Sequence, residues 1–205
     1  MLVSHHSTIT TSQEELDALV CSAAPRQGQW HEEDYLWLSG HASALIEFTD
    51  GYIEVLPVPS DRHQSTLLFL CQPFLAANEL QGGKVLVAPL RLRIHSGKYR
   101  EPDLLLVRSA RDTRRQEQFW TGANLVLEVV SHKKPERDLV EKRTDHAEGG
   151  IPEYWIINPL NETIMVLRLL GDARGEHETF GRGAQATSAL LEGFAVSVDA
   201  VFDAE

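Results

Sequence analysis

Apolar positions along the chain change period several times, and each change marks an element. Residues 44–48 and 52–56 alternate apolar with polar on either side of Thr49-Asp50-Gly51, the pattern of a hairpin and its turn. From Ser60 or Asp61 to about Asn78 the period lengthens. Leu67, Leu68, Leu70, Phe74 and Leu75 predict a buried crossover helix there, kinked at Pro73. Residues 85–88 and 90–94 return to strand, the second setting Leu90, Leu92 and Ile94 against Arg91 and Arg93. Residues 102–107 and 124–130 are runs rich in Leu and Val, the mark of strands covered on both faces. A helix over 135–148 starts at a proline and stops at Gly149-Gly150. Strands over 153–158, 164–170, 178–180 and 195–198 and a helical turn over 199–202 complete the chain.

The N-terminal part is simpler. Ser12-x-x-Glu15 is a capping box that predicts a short helix near 12–21, inside an extension over residues 1–29 whose first ten residues are loosely attached. A second short helix over 32–38, with Tyr35, Trp37 and Leu38 as its apolar contacts, opens the domain expected over 30–205. Strands and helices alternate loosely, with hairpins at both ends. The class that follows is α/β (α+β), a mixed central sheet flanked by helices.

Two acids interrupt this pattern. Asp103 opens the first apolar run directly after Pro102, and Glu128 lies among Leu125, Val126, Leu127, Val129 and Val130. A carboxylate in such company is costly unless it is paired, hydrogen-bonded or bound to a metal. Asp138 and Lys142, four residues apart on the following helix, share a face and bring a cation near. Two carboxylates on adjacent strands with a lysine close by can hold a divalent cation and a water.

Pro102-Asp103, Glu128-Val129-Val130 and Asp138-x-x-x-Lys142, in that order, resemble the PD-(D/E)xK nuclease superfamily. Gly150-Ile151-Pro152-Glu153-Tyr154-Trp155, Asn158-Pro159, Asp50-Gly51-Tyr52-Ile53-Glu54 and His63-Gln64 narrow the resemblance to its Uma-two family of restriction endonucleases, over roughly residues 30–200. The resemblance implies a restriction-endonuclease-like core and hydrolysis of DNA phosphodiesters with magnesium or manganese. It implies metal ligation by Asp103, Glu128 and the carbonyl of Val129, and catalytic roles for Asp103, Glu128, Lys142 and Glu54. His63, Asp138 and Arg100 follow as supporting or phosphate-contacting residues. The superfamily's strand lysine is replaced here by Val130, so Lys142 has to enter the cleft from the helix, with Leu139 on its buried side and Glu141 on its outer one.

Composition changes this picture at three points. The net charge of −11 is unfavourable for a nucleic-acid protein, but residues 84–143 hold 14 Lys and Arg against 8 Asp and Glu, leaving that window at +6. Part of that charge, Arg108, Arg111, Arg114 and Arg115, lies in a long polar segment over 108–122 that reads either as a solvated loop or as a functional one. Cys21 and Cys71 are far apart and form no metal-ligand spacing, which fits a reducing, cytoplasmic setting. The longest apolar stretch, around 67–77, is too short to span a bilayer.

Some residues point to blander roles. Glu47 is expected on the solvent face of its strand, and Tyr154 and Trp155 in the core rather than stacked on bases. Trp30, Trp37, Trp120 and Trp155, with the short N-terminal helices, exceed what a small core needs and suggest a homodimer. Two other classes stay open at this level: a catalytically silent DNA-binding or structural relative, and a metal-dependent hydrolase of another phosphoester.

Overall fold

The computed structural model describes residues 24–131, 136–170, 175 and 177–204. The helix expected over 12–21 and the first residue of the one expected over 135–148, Pro135, lie outside them. Its centre is a six-stranded sheet built from β3 (Lys84–Val87), β6 (Leu104–Val107), β7 (Leu125–Val129), β8 (Glu153–Asn158), β9 (Thr163–Arg168) and β10 (His177–Phe180). Across the sheet the order is β10-β9-β8-β7-β6-β3. β7 and β8 run parallel and every other neighbouring pair runs antiparallel, so the sheet is mixed.

The apolar runs are buried on both faces because both faces are covered. Side chains alternate along a strand. Leu104 and Leu106 of β6, with Leu125 and Leu127 of β7, meet Leu67, Leu70 and Phe74 of helix α2 (Asp61–Glu79). Helix α4 (Val198–Phe202) adds Val198, Val201 and Phe202 to that cluster. Leu105, Val107 and Val126 face the other way, toward Leu92, Ile94, Trp120 and Ile156. Pro73 is accommodated within α2, which runs through it as one helix. Trp155 is wholly buried and donates its indole N–H to Glu153 at 2.7 Å.

A second sheet lies beside the first. It joins β1 (Ile46–Thr49), β2 (Tyr52–Val55), β4 (Leu92–His95) and β5 (Lys98–Arg100) in the order β2-β1-β5-β4. The β1–β2 turn places Asp50 and Gly51 at positive φ, 45° and 88°, as a tight hairpin requires. Strand β5 has no counterpart in the sequence pattern. It is three residues long and forms because β1 on one side and β4 on the other supply its ladder partners. Ile46, Phe48 and Tyr99 pack on Tyr35 of helix α1 (Glu32–His41) as an aromatic cluster. Tyr35 and Phe48 stack with ring centroids 5.2 Å apart. Since Ile46 and Phe48 take that face, the pleat turns Glu47 to the opposite one. Two short strands, β11 (Gln185–Thr187) and β12 (Ala195–Ser197), pair separately.

The segment after β7 carries the remaining element. Residues Arg137–Glu141 form a π-helical turn that continues into helix α3 (Lys142–Glu148). No described helix is long and apolar enough to cross a membrane.

Candidate active site

The β6–β7 ladder sets the geometry of the two acids. Leu104 pairs with Leu127 and Leu105 with Val126. One step further along this antiparallel register, Asp103 stands opposite Glu128. By alternation both side chains lie on the face of Leu105 and Val126, the face that α3 covers. The backbone N–H of Val129 donates to Asp103 Oδ2 at 2.7 Å, which fixes Asp103 against the end of β7. His63 Nε2, in the first turn of α2, lies 3.1 Å from the same oxygen.

Lys142 completes the group. Its amine donates to Glu128 Oε2 at 2.8 Å, and its side chain is only 5% exposed. Leu139 packs toward the core and Glu141 is exposed, so the buried face of the helix is the one that carries Lys142. Asp103, Glu128, Val129, Lys142, His63 and Arg137 line one cleft of about 160 Å³. Its rim is apolar where Pro57, Val58 and Pro59 pass beside it.

Behind the cleft lies a layer of buried charge, and it includes Glu47, expected from the sequence on the solvent face of its strand. Glu47 is 1% exposed, not on a solvent face, because the small sheet packs that side against α3 and the π-turn. It takes an ion pair from Arg137, lies 3.8 Å from the Lys142 amine and 3.6 Å from Arg100 Nε, and accepts the backbone N–H of Glu101 at 3.0 Å. Burial alone would raise its pKa, yet Lys142, Arg137, Arg100 and that N–H together hold it below the ordinary value. Arg100 is buried too. It reaches Asp145 of α3 at 2.6 Å and donates to Thr49 Oγ1 at 2.9 Å. Lys98 donates to the other Asp145 oxygen at 2.8 Å. Burial opposes the charge on Asp145, and the two cations outweigh it, so its pKa is also lowered. Arg100 thus ties the small sheet to α3 and does not line the cleft itself.

The other expected site residues fall as follows. Glu54 does not line the cleft; it is more exposed, at 38%, and reaches the site through Arg137, whose guanidinium lies 3.3 Å away. The side chain of Asp138 lies outside the described residues. The 108–122 segment is tied down away from the cleft. Arg114 pairs with Asp112 at 2.6 Å and donates to the Ala123 carbonyl, and Arg115 lies over the Trp120 ring. Three residues at the site carry no signal of their own in the sequence pattern: Arg137, His146 and Glu101. Glu101 lines the cleft while 4% exposed, and burial, reinforced by the Glu47 charge, pushes its carboxyl up to about 7.

A hard divalent cation suits this donor set. Among the described residues no three His, Cys, Asp or Glu side chains converge, so the protein would supply two carboxylates and a carbonyl, leaving the other positions to water and substrate. Glu128 Oε2 lines the cleft side and takes the Lys142 amine at 2.8 Å, and a carboxylate oxygen with one such donor keeps a lone pair for a cation.

Three comparisons bear on this geometry. The family model Uma2, described as a putative restriction endonuclease, matches residues 32–199. No curated protein matches the chain. Among solved structures, the fold is similar to that of a putative nuclease belonging to DUF820 from Anabaena variabilis, with a TM-score of 0.71 and 17% identity, over 87% of this chain and 98% of that one.

Proposed function

The chain belongs to the Uma2 family, and on that premise we propose that it is a divalent-metal-dependent endonuclease that hydrolyses phosphodiester bonds of DNA, acting as a homodimer. One observation carries this reading: Asp103 and Glu128 stand across neighbouring strands in one cleft, with the Lys142 amine 2.8 Å from Glu128.

Asp103, Glu128 and the Val129 carbonyl would hold magnesium or manganese, which when bound supplies a Lewis acid for the phosphodiester and a water of lowered pKa. The chain's own residues do the rest. Lys142 brings a positive charge to the metal-holding carboxylate, from where it orients the attacking water or offsets charge on the phosphoryl oxygens. Glu47 sets a second carboxylate 3.8 Å from that amine, behind the cleft. His63 keeps Asp103 in place and stands at the N-terminal turn of α2, whose positive end favours a phosphate. Arg137 offers a guanidinium fork at the cleft wall, and Glu54 acts by orienting it. Arg100 and Asp145 hold α3 against the small sheet.

The test is cleavage of supercoiled plasmid by purified protein with Mg²⁺ or Mn²⁺ and with chelator. The parent should nick it only with metal, and Asp103→Asn should lose cleavage while keeping its circular dichroism spectrum. Undiminished cleavage by Asp103→Asn would overturn the assignment.

A further inference from the structure

The imidazole of His146 has no role in the chemistry above, and its surroundings are unusual. It is 1% exposed, and neither ring nitrogen makes a hydrogen bond. A buried polar atom in that condition is unfavourable and rare. Nε2 lies 3.6 Å from Glu128 Oε1, which is itself buried and accepts no hydrogen bond. Two unsatisfied atoms of complementary kind therefore face each other, a few tenths of an ångström beyond bonding distance. The ring has little freedom to turn elsewhere. It packs on Tyr154 with centroids 4.7 Å apart, and its backbone carbonyl accepts the Ile151 N–H at 3.0 Å, closing the end of α3.

Lys142 and His146 are four residues apart, so they project from the same face of α3. Lys142 holds Oε2 of Glu128, and His146 faces Oε1. A carboxylate turns easily about its last torsion. With a donor on one oxygen only, nothing selects which oxygen presents to the cleft.

Resting on the nuclease reading above, we propose that His146 is a positioning residue for the metal-holding carboxylate. In the Nε2–H tautomer it donates to Glu128 Oε1, anchors that oxygen on the buried side, and leaves Oε2 for the cation. Nδ1, turned away, stays bare. A residue that orients a ligand in this way typically changes metal affinity by about ten- to a hundredfold when removed.

The experiment uses Mn²⁺ as probe, titrated calorimetrically into the full chain without DNA. His146→Phe keeps a ring against Tyr154 and removes both nitrogens, while His146→Gln returns a donor near the Nε2 position. His146→Phe should weaken Mn²⁺ binding by about tenfold or more. It should also lower kcat with KM for DNA unchanged, and His146→Gln should recover much of both. Mn²⁺ binding by His146→Phe at the parent's affinity overturns the proposal. So does equal weakening in both variants, which would mean the ring only packs. Imidazole nitrogen NMR on the parent reads the tautomer without any substitution, and a proton on Nδ1 with a bare Nε2 also overturns it. Asp103→Asn separates the two readings. If the parent itself binds no Mn²⁺, the site reading falls and this one with it. If Asp103→Asn loses Mn²⁺ and His146→Phe does not, only this one falls.

Discussion

The Glu47 carboxylate accepts the backbone N–H of Glu101 at 3.0 Å, and so pins the chain two residues before Asp103 from the opposite sheet. The same carboxylate faces Lys142, Arg137 and Arg100. One buried acid therefore joins the backbone that leads into Asp103 to the cations around Glu128.

Glu47→Ala removes the shared anion and leaves three cations buried without it. Breaking a buried pair from one side costs about 3–5 kcal/mol. Urea denaturation at pH 7 should show a loss of at least about 3 kcal/mol, and cleavage should fall even where the variant is still folded. A loss under about 1 kcal/mol would mean that water or Asp145 already compensates the cations.

Glu101 should make stability depend on pH. Burial, then the charge of Glu47, raises its folded pKa from 4.5 to about 7. Between those values the folded chain keeps a proton that the unfolded chain has released, so this residue's contribution falls as pH rises through the window. Glu101→Gln should flatten that slope and raise stability at pH 8 relative to the parent, by up to about 3 kcal/mol. Paired urea melts at pH 5 and pH 8 read it directly; a parent and variant with parallel pH profiles would refute it. Glu47 and Asp145 act in the opposite sense. Their lowered pKa values give stability that is present above about pH 4 to 4.5 and is lost as pH falls further.

Lys142→Met keeps a long apolar stem in a buried position and deletes the amine. The expectation is a kcat lower by about a hundredfold or more, with Mn²⁺ binding retained because both carboxylates remain. Calorimetry and plasmid nicking on the same preparation check both halves. Cleavage at the parent's rate would remove Lys142 from the chemistry.

The active form is expected to be a homodimer. β2 is an edge strand of the small sheet that exposes Tyr52 and Val55, and Trp37 on α1 is 65% exposed. Light scattering at tens of micromolar, on the order of weak-dimer constants, should give twice the chain mass of 22.9 kDa. Charged substitutions at Tyr52 and Val55 should halve it; if they do not, the interface lies elsewhere.

Part of the site is legible in the sequence because the cue is local. Glu128 stands out as one acid among five Leu and Val neighbours, and Asp103 as an acid at the mouth of a similar run. The central strands and α2 are legible for the same reason, since a run covered on both faces shows in its own composition. Glu47 is not. Its strand alternates as a half-exposed strand does, and only the packing of a second sheet on α3 makes its outer face an inner one. Strand β5 exists through its partner. Arg137 and His146 are an arginine and a histidine on a polar helix until Glu47 and Glu128 are brought against them. Lys142 is legible as a cation near the two acids, but its catalytic role comes only with the resemblance, because nothing in its neighbours separates a catalytic amine from half of an exposed helix pair.

The π-helical turn at Arg137–Glu141 has a consequence for direction. The Lys142 N–H bonds to the Arg137 carbonyl, five residues back. In a regular α-helix five residues turn through about 500°, so two such side chains would diverge by about 140°. The wider turn brings them back toward one side, and both meet Glu47 there. Their convergence is a property of the coil's pitch and not of their spacing. Rewinding these five residues at regular α pitch, with none removed, would leave every charge in the chain and still aim the two cations apart.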